Sequence, residues 1–101
     1  MPLTSVNPAT GQVLGAYDEH GPDEVERRLS LAARVQPDFA RLPVADRAAW
    51  LTAAADRLRD RRHDLAGLMT DEMGKTLVAA LAEVDKCEWV CRYYSEQAAA
   101  F

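Results

Sequence analysis

The sequence GKTLVAALAEVDKCEWVCRYYSEQAAAF, residues 74–101, carries the longest helical pattern in the chain. Apolar side chains recur there at spacings of three and four, which places them on one face of a helix: Leu77, Leu81, Val84, Cys87, Cys91, Tyr94, Ala98 and Phe101. A second apolar set flanks this face: Val78, Ala82, Trp89, Val90 and Tyr93. Because a surface helix needs a narrower apolar face than this, the pattern predicts a helix held between other layers.

The start of this helix is marked by two residues in the same stretch. Gly74 is a natural stop for the helix before it, since glycine adopts the left-handed conformation of a helix C-terminus without a Cβ penalty. Thr76 is then expected to cap the new helix with its side chain. The sequence therefore predicts one helix over about residues 63–73 and another over about residues 76–101.

Two prolines predict two further helices nearer the N-terminus. Pro43 opens a helix over about residues 43–61, with an apolar stripe of Ala48, Leu51, Ala55 and Leu58. Pro22 opens a helix over about residues 22–36, and the acidic residues that follow Pro22 suit the positive end of the helix dipole. Both helices are therefore expected to begin at a proline.

The connection between these two helices is predicted from a third proline. Pro37 ends or bends the first helix, because its ring removes a backbone donor and crowds the preceding turn. Phe39 and Leu42 are then expected to lie in the connection.

The segment of residues 4–17 predicts a β-hairpin. Asn7 starts a turn with its side chain, and Pro8 fixes φ for that turn. Gly11 supplies the left-handed position before the return strand. Two strands alone are only marginally stable in water, so the hairpin needs a layer to lie against. Together the patterns predict a mostly α chain, an N-terminal β-hairpin plus about four helices, in one unit of residues 1–101.

The composition narrows the class of protein. Apolar residues make up 49% and charged residues 28% of the chain, as in ordinary globular proteins. The net charge of −4 argues against nucleic acid as a partner. No run of about 20 apolar residues predicts a membrane span, and the N-terminus lacks the pattern of a secretory signal. Two cysteines in such a chain are expected to be reduced thiols, which favours a cytoplasmic protein.

The two cysteines are the first candidates for chemistry. Cys87 and Cys91 are four residues apart on the same helical face. As metal ligands they would need nearby partners, and His20 and His63 are distant in the sequence. As nucleophiles they would need a base or a helix N-terminus to lower the thiol pKa. The favoured interpretation is that both are buried structural thiols.

The charge-rich junction between the second and third predicted helices is a second candidate. Positively and negatively charged residues are interleaved there, which predicts a solvated face with the ion pairs Arg57–Asp60 and Arg61–Asp64. His63 beside Asp64 could be a poised base, but the start of a surface helix is the favoured interpretation.

Taken in order, these pieces resemble the N-terminal part of the aldehyde dehydrogenases. VNPATGQVLGAY at residues 6–17 resembles their opening hairpin, and residues 23–32 and 39–101 are similar to their first helices. The more specific elements are NPATG, the R-x-x-x-L-x-x-x-A-D-x-L pattern of residues 47–58, and MTDEMGKTL of residues 69–77. EMGKT, followed by AEVDKC and RYYSEQA, is similar to bacterial succinate-semialdehyde dehydrogenases.

The resemblance implies that the chain is part of the α/β Rossmann-like cofactor domain of the aldehyde dehydrogenase fold. It implies NADP or NAD as the cofactor of the complete enzyme, a small aldehyde as its substrate, and a homo-oligomer. In the family a cysteine attacks the aldehyde, hydride passes to NAD(P)⁺, and a glutamate activates water. The G-Q-x-C, E-L-G-G and glycine-turn motifs of that machinery are absent here. No catalytic, cofactor-binding or metal-binding residue is therefore predicted, and the chain alone is expected to bind no cofactor.

Three interpretations of function stay open on the sequence. The first is an N-terminal fragment of an NAD(P)-dependent aldehyde dehydrogenase, which oxidises succinate semialdehyde to succinate in the complete enzyme and is inactive alone. The second is a free-standing helical interaction module, and the third is a vestigial truncated product. The chain alone is expected to self-associate through an apolar patch on the fourth helix, with Leu81, Val84, Cys91 and Tyr94 at its centre.

Overall fold

The computed structural model describes residues 2–101 as a two-stranded hairpin followed by four helices. The elements, in chain order, are β1 (Leu3–Val6), β2 (Val13–Tyr17), α1 (Pro22–Arg41), α2 (Val44–Asp60), α3 (Arg62–Met73) and α4 (Leu77–Gln97). This confirms the predicted mostly α chain with an N-terminal hairpin. The fourth helix ends earlier than predicted, at Gln97, and a turn follows it.

The hairpin is closed by the residues that the sequence singles out. Its strands are antiparallel, and an irregularity in the pairing lies between Ser5 and Val6. The Asn7 side chain accepts a hydrogen bond of 2.9 Å from the backbone N–H of Ala9. Gly11 has a φ of 74°, the left-handed conformation that its position in the turn requires. The turn chemistry therefore sets the register of the two strands.

The first helix does not end at Pro37, so the predicted range of residues 22–36 is wrong at its C-terminal end. The helix continues through the proline to Arg41, and Phe39 lies within it rather than in a connection. An interior proline costs a helix roughly 3 kcal/mol. Part of this cost is offset because the Phe39 ring stacks on Trp50 of α2, with ring centroids 5.6 Å apart.

The core lies where α4 packs against α2 and α3. Ala66, Ala80 and Val84 form a buried cluster, and the half-buried Leu65, Met69 and Leu81 pack around it. Ala55 of α2 is also fully buried. Alanines at these positions let the helix axes approach closely, so the core is small and dense rather than built from large side chains.

The junction between α3 and α4 has the predicted geometry. Gly74 has a φ of 69°, and its N–H donates to the carbonyl oxygen of Thr70 at 3.0 Å. Thr76 caps α4 by accepting a hydrogen bond of 3.3 Å from the N–H of Ala79. This confirms Gly74 as the stop of one helix and Thr76 as the cap of the next.

The hairpin is seated on this junction. The Ser5 hydroxyl donates a hydrogen bond of 2.8 Å to a carboxylate oxygen of Glu72. A Cβ atom added to Gly74 would lie 3.0 Å from Cγ of Pro8. The hairpin turn therefore rests against Gly74, where an added side chain would crowd Pro8.

The chain is more open than a compact protein of its length. Its radius of gyration is 17.8 Å, whereas about 13 Å is usual for 101 residues. It exposes 7817 Å², whereas a compact monomer of this size exposes about 5,700 Å². No helix within residues 2–101 has the length and hydropathy needed to cross a membrane. About 2,000 Å² of surface is thus exposed beyond what a closed fold of this size leaves to solvent.

Candidate functional site

The two thiols do not form a reactive centre in this structure. Both cysteines are free, Cys91 is half-buried, and Cys87 is exposed. The expectation that both thiols are buried is therefore wrong for Cys87, which the packing of α4 leaves on the solvent side. Within residues 2–101 no cluster of three or more metal-binding side chains is found. Mid-helix positions also lack the helix N-terminus that activates many catalytic thiols.

An ionic network joins α2 to α4 on the polar side of the core. The Arg92 guanidinium donates to Asp56 of α2 at 2.9 Å and to Glu88 of α4 at 2.8 Å. Its hydrogen bond to Asp56 holds the pKa of that carboxyl below its usual value. The same contacts raise the pKa of Arg92. The lowered pKa of Asp56 and the raised pKa of Arg92 keep this pair charged near neutral pH, so we assign the network a structural role.

A second pair joins α3 to α4. Arg62 donates two hydrogen bonds to Asp85, of 2.5 and 2.8 Å, in the two-pronged geometry that suits a carboxylate. This contact lowers the pKa of Asp85. Because the pair joins the same two helices as the buried alanine cluster, we assign it a structural role.

The ion pairs that the sequence predicted, Arg57–Asp60 and Arg61–Asp64, are wrong. Asp60 instead lies 3.8 Å from Arg59. Helix spacing alone allowed several partners for each carboxylate. His63 is exposed and makes no hydrogen bond within residues 2–101, which favours the solvated-face interpretation over a poised base.

A groove beside Arg47 is a feature that the sequence did not point to. It has a volume of about 490 Å³ and lies between the C-terminal turns of α1, the first turns of α2 and the end of α4. Its walls are lined by Phe39, Val44, Arg47, Ala48, Trp50, Leu51 and Ala98. Nε of Arg47 is excluded from solvent and has no hydrogen-bond partner within residues 2–101. One nitrogen of a partly buried guanidinium therefore lacks a hydrogen-bond partner within residues 2–101, beside a groove whose other walls are mostly apolar.

An aromatic surface covers the C-terminal half of α4. Tyr93 contacts Tyr94 edge to face at 5.2 Å and Phe101 at 6.4 Å, and Trp89 packs beside it at 6.0 Å. All four rings are at least 42% exposed. The predicted patch centre is therefore wrong in part, since Val84 is only 2% exposed and belongs to the core.

The described residues do not fit a dinucleotide cofactor. Pyrophosphate binds at a helix N-terminus that follows a strand and a glycine-rich turn. Here α1 alone follows a strand, and its first turn carries Asp23 and Glu24, which repel phosphate. Arg27 and Arg28 bind Glu24 and lower its pKa to about 2, so that this negative charge persists. No step of an oxidation is therefore assigned to this chain.

The chain is similar to named enzymes along nearly its whole length. It is 46% identical over 98 residues to a probable succinate-semialdehyde dehydrogenase [NADP(+)] of Synechocystis sp., an alignment that covers 97% of this chain and 22% of that protein. It is 42% identical over 100 residues to succinate-semialdehyde dehydrogenase [NADP(+)] 1 of Mycobacterium tuberculosis, which covers 99% of this chain and 22% of the relative. The chain thus spans about a fifth of the length of these relatives.

Solved structures have the same fold over this length. Lactaldehyde dehydrogenase from Escherichia coli superposes with a TM-score of 0.94 at 28% identity, covering all of this chain and 21% of that one. A 3,6-anhydro-L-galactose dehydrogenase superposes with a TM-score of 0.89 at 31% identity, covering 97% and 20%. A sequence model of the aldehyde dehydrogenase family matches residues 1–101. The chain therefore belongs to the aldehyde dehydrogenase family.

Proposed function

We propose that this chain is the N-terminal segment of the cofactor-binding domain of a succinate-semialdehyde dehydrogenase that uses NADP⁺. The observation that carries the proposal is the near-complete alignment of the chain with two relatives of that name. The NADP preference rests on the names of those relatives. In the complete enzyme the substrate is succinate semialdehyde and the product is succinate.

Within that enzyme the role of these residues is to support other parts rather than to catalyse. The excess exposed surface of about 2,000 Å² is what a segment needs if it packs on the rest of a domain. Most of the exposed large apolar side chains lie on the hairpin, α1 and α4. We further propose that the complete enzyme is cytoplasmic, which the free state of both cysteines supports, and that it is a homo-oligomer.

The test is a chimera in which residues 1–101 replace the matching segment of the Synechocystis relative. The chimera is expected to reduce NADP⁺ when succinate semialdehyde is added, with the parent enzyme as the positive control. The 101-residue chain alone is expected to give no NADPH at the same concentration. A folded chimera without turnover would refute the proposal. So would turnover by the isolated chain that is lost on Cys87→Ser.

The interaction-module alternative is favoured by one observation, the exposed aromatic surface of Trp89, Tyr93, Tyr94 and Phe101. Sedimentation of the isolated chain separates the two. A monodisperse monomer with a sharp unfolding transition is the behaviour of a self-sufficient module. Self-association with a broad transition is the behaviour of a segment that lacks the rest of its domain.

A further inference from the structure

Cys87 and Cys91 lie together on one open strip of α4. The helix is unbroken from Leu77 to Gln97, so residues four apart within it have their Cβ atoms about 5–6 Å apart on the same face. Both thiols are free, and both cysteines line one groove of about 440 Å³. Neither belongs to the buried cluster of the core. The chain therefore presents two neighbouring thiols at one surface.

The helical spacing of these thiols does not suit a disulfide. A disulfide needs Cβ atoms about 3.5–4.5 Å apart, which is closer than the ~5–6 Å that the helix gives. An atom inserted between the two sulfurs spans a wider gap, because two thiolate bonds, each roughly 2.3 Å in zinc sites, replace one sulfur–sulfur bond of about 2.05 Å. The pair is therefore spaced for a bridging atom rather than for a direct bond.

The available donors decide which element can bridge the pair. Thiolates select soft, thiophilic elements. A structural zinc ion needs four ligands, yet no group of three or more metal-binding side chains is found within residues 2–101. The carboxylate of Glu83 in the same groove is already paired with Lys75. A trivalent arsenic atom that carries one carbon substituent needs only two thiolates to complete its three bonds, so a monosubstituted trivalent arsenical matches this donor set.

The groove also accommodates the organic substituent of such a ligand. Its volume of about 440 Å³ lies in the range of small-molecule sites. Val90 and Lys86 line it beside the two cysteines, and a lysine stem is apolar, so an aryl group on the arsenic has apolar surface to pack on. Glu83 and Lys86 also bring charges to the groove, and charged residues are seldom buried. This strip is thus better suited to remain at solvent than the aromatic surface of the same helix.

We propose that Cys87 and Cys91 form a chelating dithiol site for monosubstituted trivalent arsenicals. When the ligand is an organic arsenous oxide, two arsenic–sulfur bonds form and the arsenic–oxygen double bond breaks. The two thiol protons leave with the oxygen as one water molecule, so arsenic stays trivalent and no oxidant or reductant is consumed. The site is independent of the proposed function, since it needs neither the cofactor nor the aldehyde.

The test is the binding of phenylarsine oxide to the 101-residue chain, kept reduced with a phosphine and followed by native mass spectrometry. The chain contains only two cysteines, so every dithiol adduct reports on this pair. One arsenical is expected per chain, with loss of one water. Cys87→Ser and Cys91→Ser are each expected to lower the affinity by about 10²–10⁴-fold, because the second thiol acts at a high effective concentration. Unchanged affinity in either variant, or an arsenical that bridges two chains, would overturn the proposal.

A matched control separates helical geometry from mere proximity of two thiols. Trp89→Cys in the Cys91→Ser background keeps two thiols, but at positions two residues apart, which do not face each other on a helix. With its helix content verified by circular dichroism, this variant is expected to bind as weakly as Cys91→Ser. In concentrated urea it is expected to bind as tightly as the natural chain. Tight binding by the folded variant would overturn the proposal, since any two nearby thiols would then suffice.

The chimera with the Synechocystis relative tests the same site in a complete enzyme. After incubation with phenylarsine oxide the remaining thiols are alkylated, and the tryptic peptide of residues 87–92, which holds both cysteines, is analysed. Both cysteines are expected to escape alkylation with the arsenical and to be alkylated without it. Alkylation despite the arsenical would overturn the proposal, and so would thiols that fail to react without it, because the groove would then be closed. The readout needs no turnover, so an inactive chimera refutes only the proposed function.

Discussion

Replacing Gly74 by alanine tests the joint between α3 and α4 and the seat of the hairpin together. The φ of 69° at this residue is left-handed, and a Cβ there costs about 1–2 kcal/mol. Alanine also restricts the unfolded chain, which returns about 0.4–1 kcal/mol. The new Cβ would meet Cγ of Pro8 at 3.0 Å, a contact that the stiff proline ring relieves only by moving the turn. These two terms leave a net loss of about 1 kcal/mol in the free energy of unfolding, and the contact with Pro8 adds to that loss.

Two other glycines supply matched controls for this experiment. Gly67 lies within α3, and a Cβ there meets nothing within 4 Å. Gly67→Ala is therefore expected to stabilise the chain by roughly 0.5–1 kcal/mol through helix propensity. Gly11 shares the positive φ of Gly74, but a Cβ there also meets nothing within 4 Å. The difference in the free energy of unfolding between Gly11→Ala and Gly74→Ala then measures the effect of the contact with Pro8.

The assay is urea unfolding of the 101-residue chain followed by circular dichroism, with all variants at one protein concentration. A rise in the urea midpoint for Gly74→Ala, like that expected for Gly67→Ala, would refute the reasoning. It would mean that α3 and α4 run on as one helix in solution and that the hairpin does not rest on their junction.

The remaining predictions concern the core, the ion pairs, the thiols and the open surface. Val84→Ala is expected to cost about 1–3 kcal/mol in the free energy of unfolding, because its side chain is only 2% exposed. Arg62 lowers the pKa of Asp85 in the folded chain, and protonation of Asp85 breaks the ion pair. The free energy of unfolding in urea is therefore expected to be constant above the usual aspartate pKa of 3.8 and to decrease as the pH falls below that value. Arg62→Met is expected to reduce this decrease. Cys87 is exposed and is expected to react with a disulfide reagent in a faster phase than Cys91. The isolated chain is expected to bind an apolar dye and to self-associate in sedimentation, because of its excess exposed surface.

Each of these expectations has an outcome that contradicts it. Val78 is 80% exposed on the same helix, so a loss on Val78→Ala as large as that on Val84→Ala would place the core elsewhere. A pH dependence that Arg62→Met leaves unchanged would remove Asp85 as its source. A fast thiol phase that survives Cys87→Ser would belong to Cys91. A single monomeric species without dye binding would mean that the apolar surfaces close on one another.

The local features of the fold could be predicted because neighbouring residues alone set them. Asn7, Pro8 and Gly11 specify a turn through side-chain acceptors and allowed φ values. In the structure the Asn7 side chain accepts a hydrogen bond within the turn, and Gly11 has a positive φ. Gly74 and Thr76 specify a helix end and a helix start in the same way. None of these contacts depends on which helices pack together.

The features that were missed depend on that packing. The sequence predicts that α1 ends at residue 36, yet the stacking of Phe39 on Trp50 stabilises continuation of the helix. No local pattern indicates that contact. The spacing of large side chains predicts one apolar face for α4, whereas the contact with α3 also uses Ala80. A prediction based on large apolar residues therefore does not find helices that approach closely through alanines.

The groove beside Arg47 could not be predicted for a related reason. Arg47 stands in the sequence as one member of a family-like pattern, with nothing to show that its Nε would be shielded from water. Its partners in the groove come from α1 and from the end of α4, which are distant in the sequence. Three helices have to be placed before the unpaired donor can be recognised.

The seat of the hairpin has a consequence for synthesis on the ribosome. Ser5 and its partner Glu72 are separated by 67 positions, and translation at about 5–20 residues per second needs several seconds to cover that distance. During this interval the nascent hairpin has no surface to rest on, and both of its outer edges are open to pairing with other chains. Its strands contain only four and five residues, so the strand edges that another nascent chain could pair with are short. Until Gly74 has been synthesised, the hairpin therefore lacks the surface on which it rests in the folded chain.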